Sequence, residues 1–516
     1  MAKLTDLPAE LVDRIIHHIF DQTYDPDYKR LQSSVPDHHL LDHNQINCSA
    51  KPKPRPHLDR VTPRGRRFDG RRVYHEQVSW PEGLPSNPLL PLSLVSNTFR
   101  RCAQELLFKS VALDSPWIAS LFLQALTCIP PRANTLCSCK CPKDDNQMND
   151  LEHLNPLSQH VRSLQVAWSG NNSMGRGGGS VFCEILRSCP RLENITISTI
   201  FQLACKEPIL KALASNPHIK EFVILKNTRG QYSTFQWLPH ELVLRLFPHW
   251  TSLETVEFPQ LSGWSVGSLN PALNSAIPVL NCTLRTMILN DPQLDELEFS
   301  NLLKSCGESM RALKITGPNL KVTREALCRV LQESTSPNLE CLKLRSIYCE
   351  QTLRLAHLPS STTSPPLLEM IFASPTALKN LKTLSFEDRL ATEKLFECLP
   401  KSLIKISWKR CDLSASALLK ALSSSRNEEG SLPNLKCCSV AGSRDEWEFE
   451  QVHDAITKVF KARGGCYHLF VDMAYGSPIG TEERMEMEEM DDDEDEEDFV
   501  PYDQYEFDDL AGDDFW

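Results

Sequence analysis

The chain has 516 residues and a net charge of −12, and its charge is strongly segregated. From Glu482 onward, 19 acidic residues stand against one arginine, so the rest of the chain is mildly basic. No apolar run approaches the length that crosses a bilayer, and the N-terminus lacks the pattern of a secretion signal. The 19 cysteines are scattered through apolar segments. Together these features predict reduced thiols in a cytoplasmic or nuclear protein, or one present in both compartments.

The first predicted element is an amphipathic helix at the N-terminus. Asp6 stands at the N-cap position, and Pro8 falls in the first turn, where its missing N–H costs nothing. Apolar residues then recur at three- and four-residue steps, at Leu7, Leu11, Ile15, Ile16 and Ile19. The helix cannot bury this face alone. Residues 92–113 offer two further short helical turns with apolar faces.

These two segments together resemble the halves of an F-box. The matching phrases are Leu7-Pro8-x-Glu10-Leu11-x-x-x-Ile15, Leu92-Ser93-Leu94-Val95-Ser96-x-x-x-Arg100 and Leu107-Phe108-x-x-Val111-x-Leu113. The halves are separated by roughly seventy residues, and a surface insertion of that kind adds loop entropy that grows only slowly with length. The resemblance predicts a three-helix F-box at residues 1–21 and 88–115. The alternative is an ordinary helical cap over the repeats that follow.

Two segments between the predicted domains have a loop-like composition. Residues 22–87 are rich in proline and basic residues and poor in large apolar ones, which predicts a disordered insertion. It is either a solvated loop or a nuclear-localisation or anion-contacting patch. Residues 116–159 form a predicted bridge, an apolar helix and then a loop with Cys137, Cys139 and Cys141. These lack the C-x-x-C pairs of structural zinc sites, so surface cysteines are favoured, and metal binding by them is left open.

From residue 161 a phrase of the form L-x-x-L-x-L, with other apolar residues often replacing leucine, recurs ten times. The phrases begin at Val161, Leu192, Ile219, Leu253, Leu284, Met310, Leu339, Leu381, Leu403 and Leu435. Helical patterns lie between the phrases, and Pro-Arg-Leu, Pro-Asn-Leu or Thr-Ser-Leu often introduces a phrase, as at Pro190, Pro337, Pro433 and Thr251. The period of two predicts a strand whose two apolar residues enter one core while the middle residue points out. Each unit is too small to fold alone, so neighbouring units must stack.

The repeated unit resembles the leucine-rich repeat. The resemblance predicts an α/β horseshoe at residues 160–475 with one parallel sheet, closed by a helix at 447–460 and a strand at 466–471. A disordered acidic tail is expected at 476–516, as a docking segment, a mimic of nucleic acid for a basic partner, or a solubilising tail. The middle residues are expected to line a solvent-facing concave face of mixed character that binds the target: Gln165, Thr196, Val223, Glu257, Ile288, Lys314, Lys343, Ser385, Ser407 and Ser439.

The motifs of catalysis are missing from the sequence. It contains no G-x-S-x-G or H-E-x-x-H motif and no phosphate-binding loop. The sequence therefore predicts a non-catalytic protein with no cofactor and no metal, and with neither a membrane nor a specific nucleic acid as partner.

The resemblance to fungal-type F-box proteins with C-terminal leucine-rich repeats implies a substrate receptor of an SCF-type ubiquitin ligase. The F-box would dock on a Skp-family adaptor that tethers cullin and RING subunits. The repeats would hold a target protein for ubiquitin-dependent degradation, so catalysis works through proximity. The implied adaptor-facing residues are Leu7, Pro8, Leu11, Ile15, Leu92, Leu94, Val95 and Phe108. An F-box scaffold without ligase activity and a plain repeat interaction protein are the alternatives.

Overall fold

The computed structural model describes residues 7–19, 89–128, 155–168, 171–225, 233–261, 283–317, 320–347, 365–374, 376–411, 413–423, 432–442 and 450–471. Three of the predicted segments therefore lie outside the described residues: the insertion at 22–87, the cysteine loop at 137–141 and the acidic tail at 476–516. Among the described helices, none is long and apolar enough to cross a membrane.

The described residues form a 12-stranded parallel sheet in which the strands follow one another in chain order. Its strands are β1 Ser110–Leu113, β2 Ser163–Val166, β4 Asn194–Ile197, β6 Glu221–Ile224, β7 Thr255–Pro259, β8 Thr286–Asn290, β9 Ala312–Thr316, β10 Cys341–Arg345, β11 Thr383–Glu387, β12 Lys405–Lys409, β13 Cys437–Gly442 and β14 Cys466–Val471. Two short strands, β3 Asn171–Asn172 and β5 Ile200–Phe201, pair separately. Each repeated phrase lies on one strand from β2 onward, so the predicted parallel sheet is confirmed.

Helical segments either precede the first strand or connect successive strands, and those that connect strands form a layer on one side of the sheet. They are α1 (residues 9–19), α2 Leu89–Leu92, α3 Asn97–Lys109, α4 Pro116–Thr127, α5 Gly179–Ser188, α6 Lys206–Ala214, α7 Pro239–Glu241, α8 Glu296–Ser305, α9 Arg324–Glu333, α10 Leu367–Phe372, α11 Leu395–Cys398, α12 Ala415–Ser423 and α13 Glu450–Ala462. Polar caps mark several starts. Asp295 accepts a hydrogen bond from the Glu298 amide at 2.8 Å, and the Glu298 carboxylate accepts one from the Asp295 amide at 2.9 Å.

The apolar residues of the repeated phrase hold the sheet and helices together. Leu342 and Leu344 of β10 are fully buried, as are the equivalent residues of the neighbouring strands. Trp250 lies in the same core, 5.0 Å from the ring of Phe222, and its indole N–H donates to the carbonyl oxygen of Leu213 at 3.2 Å. Since burying one such side chain contributes about 1.5–3 kcal/mol, the stacked leucines are the main source of stability.

The asparagine of the Pro-Asn-Leu segments links adjacent repeats. Asn338 Nδ2 donates to the carbonyl oxygen of Glu308 at 3.3 Å, and Asn434 Nδ2 donates to that of Lys401 at 2.8 Å. Asn380, which stands at the same position of a Lys-Asn-Leu segment, donates to the carbonyl oxygen of Pro337 at 2.9 Å. Each bond reaches back to the preceding repeat at the end where the strands begin. The recurrence of this residue in the sequence therefore has a structural cause.

At the opposite end, several strands lead into a residue in the left-handed region. The non-glycine residues with this backbone directly after a strand have φ between 48° and 73° and are Gln260, Asp291, Ser346, Asp388 and Arg410. Gly317, which follows β9, has φ 154°. A Cβ atom at Gly317 would lie 2.4 Å from the Cα of Asp291, so only glycine fits there.

A second, smaller core belongs to α1, α2 and α3. It contains Val12, Ile16, Leu89, Phe99, Cys102, Ala103 and Leu106. Helix α3 then passes directly into β1, whose register partner is β2. Phe108, near the end of α3, packs against the main core and stacks on Phe122 with ring centroids 5.9 Å apart. The sheet thus begins inside the segment 88–115 that the sequence predicted as the second half of the F-box.

Candidate functional site

The α1–α3 unit leaves apolar side chains uncovered. Val12 and Ile16 form the buried side of α1, whereas Leu11 is 44% exposed and Ile15 lies beside it on the outer side. In the turn between α2 and α3, Leu94 is 78% exposed and Val95 is also exposed. We call these four residues (Leu11, Ile15, Leu94, Val95) the N-terminal apolar surface. These residues lie on elements that share one small core, and exposed apolar patches are typical of protein-binding sites.

The other residues predicted to face an adaptor lie elsewhere. Pro8 is exposed at the start of α1. Leu7 and Leu92 are half-buried and pack against the small core of α1–α3. Phe108 is half-buried and packs against the core of the repeats. The outward residues of α1 therefore include Leu11 and Ile15, while Phe108 contributes to the join between the helices and the sheet.

The face of the sheet opposite the helices, here called the open face, carries the predicted target-binding residues. They lie in register as a row across the strands. Four of them are half-buried with part of the side chain accessible: Lys314, Lys343, Ser385 and Ser407. The expectation of a solvent-facing side chain is wrong at the other six, which are buried: Gln165, Thr196, Val223, Glu257, Ile288 and Ser439.

The close spacing of the strands contributes to the burial of the middle side chains. Residues in register on adjacent strands are about 4.8 Å apart, so each middle side chain is flanked by two others. Small side chains such as Thr196 and Val223 are enclosed by these neighbours, whereas the long stems of Lys314 and Lys343 extend past them. Glu257 also accepts a hydrogen bond from Asn290 Nδ2 at 3.0 Å, which holds its carboxylate on the sheet. Alternation predicts the direction of a side chain and leaves its exposure undetermined.

The open face changes in chemical character along the sheet. On strands β9 to β12 it carries five cations, here called the cationic half: Lys314, Lys343, Arg345, Lys405 and Lys409. Glu387 is the acidic residue among them. Its carboxylate lies 3.2 Å from Arg345 Nε and 3.7 Å from Arg410 Nη1. The middle residues of the strands predicted a surface without one dominant charge. Most of these cations were missed because they occupy the first or third outward position of their strands.

Two thiols and an imidazole lie together on the last two strands. Cys437 of β13 is the register partner of Cys466 of β14, and His468 follows two residues later on the same face. One ligand atom of each lies within 4.8 Å of the others. Burial, reinforced by the neighbouring Cys466, raises the pKa of Cys437 to about 12, and burial lowers the pKa of His468. The sequence pattern did not reveal this group, because its two cysteines are 29 positions apart.

Two other cysteines of the described segments, Cys183 and Cys189, are poor nucleophiles because they are buried. Burial raises the pKa of Cys183 to about 11 and that of Cys189 to about 12, which keeps these thiols protonated. The described surface includes open grooves. One lies on the helix side around Glu207, Lys211 and Arg245. The N-terminal apolar surface and the open face of the described structure are suited to contact with a macromolecule.

The chain matches no protein-family model, and no curated protein matches it. Among solved structures it is similar to the leucine-rich-repeat-containing protein LegL7 from Legionella pneumophila. That alignment has 15% identity and a TM-score of 0.27 and covers 58% of this chain and 82% of the other. A likeness this distant adds no weight, and the fold assignment rests on the register of the chain's own strands. The in-register parallel sheet and its helix layer are those of a leucine-rich-repeat-like solenoid.

Proposed function

We propose that this protein is the substrate-recognition subunit of an SCF-type ubiquitin ligase, acting in the cytoplasm or nucleus. The N-terminal apolar surface docks on a Skp-family adaptor, and the repeats hold a target protein. The protein itself performs no chemistry. It brings the target close to the ubiquitin-loaded enzyme that the cullin and RING subunits carry.

The observation that carries the proposal is the exposure of apolar residues at motif positions. Leu11, Ile15, Leu94 and Val95 all match the F-box phrases, and all four are exposed on elements that share one small core. A helical cap that only covered the end of the repeats would need its apolar residues turned inward. Here Val12 and Ile16 supply the inward contacts, which leaves the motif residues available for a partner.

The first experiment measures binding of purified full-length protein to a Skp-family adaptor. Leu11→Ala/Leu94→Ala removes apolar area that an adaptor would cover. The exposed fractions of these leucines, 44% and 78%, correspond to about 2 kcal/mol of burial, roughly a 30-fold loss of affinity. Leu297→Ala is the matched control, because Leu297 is 67% exposed on α8, among the repeats. The adaptor proposal is wrong if wild-type protein does not bind, or if the control weakens binding as much as the double variant.

A second candidate is a scaffold that binds partners without supporting ubiquitin transfer. The cationic half of the open face favours it as much as it favours a receptor, because a charged surface of this kind suits an acidic segment of another protein. A ligase reconstituted with adaptor, cullin and RING subunits separates the two functions. Ubiquitylation of a bound target supports the receptor. Binding of adaptor and target with no ubiquitin transfer supports the scaffold.

The same surface offers a test of target recognition. Lys343→Glu/Lys405→Glu reverses two charges in the cationic half, and we expect it to abolish binding of an acidic target while leaving adaptor binding unchanged. Lys304→Glu/Lys420→Glu is the control, because these residues lie on helices α8 and α12. Equal loss of target in both variants would indicate a nonspecific effect of charge.

A further inference from the structure

The last two strands bring thiophilic donor atoms together on the open face. Cys437 and Cys466 face each other across β13 and β14, and Ser439 faces His468 in the same way. Residues two apart on a strand share a face. The four side chains therefore occupy the corners of one small block, in which three corners carry a sulfur or an imidazole nitrogen.

The fourth corner of this block is occupied by the hydroxyl group of Ser439. Ser439 is only 7% exposed, and the interaction described for its hydroxyl is with the neighbouring Cys437 thiol, while no nitrogen or oxygen of the described residues bonds to it. A bound ion beside it, or a water molecule on that ion, would provide a further interaction.

We propose that Cys437, Cys466 and His468 bind a zinc ion, with Ser439 or a water molecule at the fourth position. Two cysteines and one histidine form a donor set that zinc prefers, and a tetrahedral ion is held by three protein ligands and one small ligand in many proteins. Binding releases one proton from each thiol to solvent and uses the lone pair of a neutral imidazole nitrogen. The two thiolates balance the double charge of the ion.

The geometry fits after a small adjustment. With Zn–S distances near 2.3 Å, two sulfurs on one tetrahedral ion lie about 3.8 Å apart. The donor atoms here lie within 4.8 Å of one another, so they must approach by about 1 Å, which rotation of short side chains supplies. The ion would connect β14 to β13. Among the described strands β14 pairs with β13 alone, so this link would stabilise that end of the described sheet.

The experiment uses full-length protein in which Cys137, Cys139 and Cys141 are replaced by serine, because that cysteine loop is a competing site. The protein is reduced, freed of metal with a chelator and titrated with Co²⁺, whose thiolate charge-transfer and d–d absorption report tetrahedral sulfur ligation. We expect one Co²⁺ per chain, displaced by Zn²⁺, and a rise in melting temperature on adding Zn²⁺.

Three variants in that background decide the outcome. Cys466→Ser and His468→Ala should each weaken Co²⁺ binding at least about tenfold and remove the effect of Zn²⁺ on melting. Cys341→Ser should change neither, since Cys341 occupies the equivalent position on β10, between Ala312 and Thr383. Circular dichroism checks that each variant is folded. The proposal is overturned if the background protein binds no Co²⁺, if neither site variant changes binding, or if reductant-free protein contains a Cys437–Cys466 disulfide.

Discussion

The charge cluster around Glu387 gives the sharpest test of the packing on the open face. The side chain of Glu387 is 11% exposed and that of Arg345 is 17% exposed, and their 3.2 Å contact is partly shielded from water. Replacing Glu387 with glutamine keeps the shape of the side chain and removes its charge. The guanidinium of Arg345 then loses the anion beside it, while Arg410 loses a longer contact of 3.7 Å.

The expected cost follows from burial. A hydrogen bond to a charged group contributes about 1.5–3 kcal/mol when water is largely excluded. The contact with Arg410 is half exposed and adds about 0.2–1 kcal/mol. We therefore expect Glu387→Gln to lower the free energy of unfolding by about 2–3 kcal/mol. Because the shielded pair is poorly screened, added salt should reduce this difference only slightly.

Urea unfolding of the wild type, Glu387→Gln, Arg345→Met and the double variant forms a cycle that isolates the pair. We expect a coupling of at least about 1 kcal/mol, so that the double variant is more stable than the sum of the single losses predicts. Arg329→Met is the control, because Arg329 holds Glu296 at 2.7 Å on the exposed helix surface. Although the contact between Arg329 and Glu296 is shorter than that between Arg345 and Glu387, we expect its loss to cause no measurable change in the free energy of unfolding. Additive losses in the cycle, or an equal loss at Arg329, would refute the argument that burial outweighs distance.

Three further predictions concern backbone, cap and thiols. Gly317→Ala should destabilise the protein by about 2–4 kcal/mol in urea unfolding, because the new methyl group would press on Asp291 and the left-handed backbone disfavours it; a neutral result would contradict the close approach. Asp295→Ala should cost about 1 kcal/mol in the same assay through loss of the α8 cap, and Asp295→Asn should recover most of it. Iodoacetamide in mildly alkaline buffer should label exposed Cys128 rapidly, while Cys189, whose pKa burial raises to about 12, should react only on unfolding. Labelling of Cys189 in the folded protein, detected by peptide mass, would contradict this prediction, because it would show that the core around Cys189 opens readily.

The strands were predictable because their signal is local. Leu342 and Leu344 stand two residues apart in a phrase that recurs ten times, and each copy indicates a strand with two inward residues. The closing strand at 466–471 was predicted with its observed bounds and is confirmed. The helix predicted at 447–460 begins at Glu450 and ends at Ala462 in the described structure. The spacing of apolar residues, more than the identity of any single residue, predicted these elements.

The surfaces were less predictable because exposure depends on neighbours. Leu11 and Ile15 fit the same helical stripe as Ile16, and only packing against Phe99 and Ala103 decides which of them turns inward. On the open face, alternation gave the outward direction of Val223 and could not reveal its burial. The group of Cys437, Cys466 and His468 required knowledge of register. Aligning the cysteines of the last two strands by their position in each strand would have found it.

The join between α3 and β1 has a mechanical consequence. Lys109 ends the helix and Ser110 begins the strand, and Phe108 anchors the junction by packing on Phe122. No spacer separates the helical unit from the first strand, so the join gives little freedom for rotation between them. If the protein acts as the proposed substrate receptor, a target on the sheet is held at a restricted set of distances and angles, and ubiquitin transfer reaches only the target lysines within that zone. Lengthening the join with glycine and serine would widen the zone and lower the local concentration of each lysine.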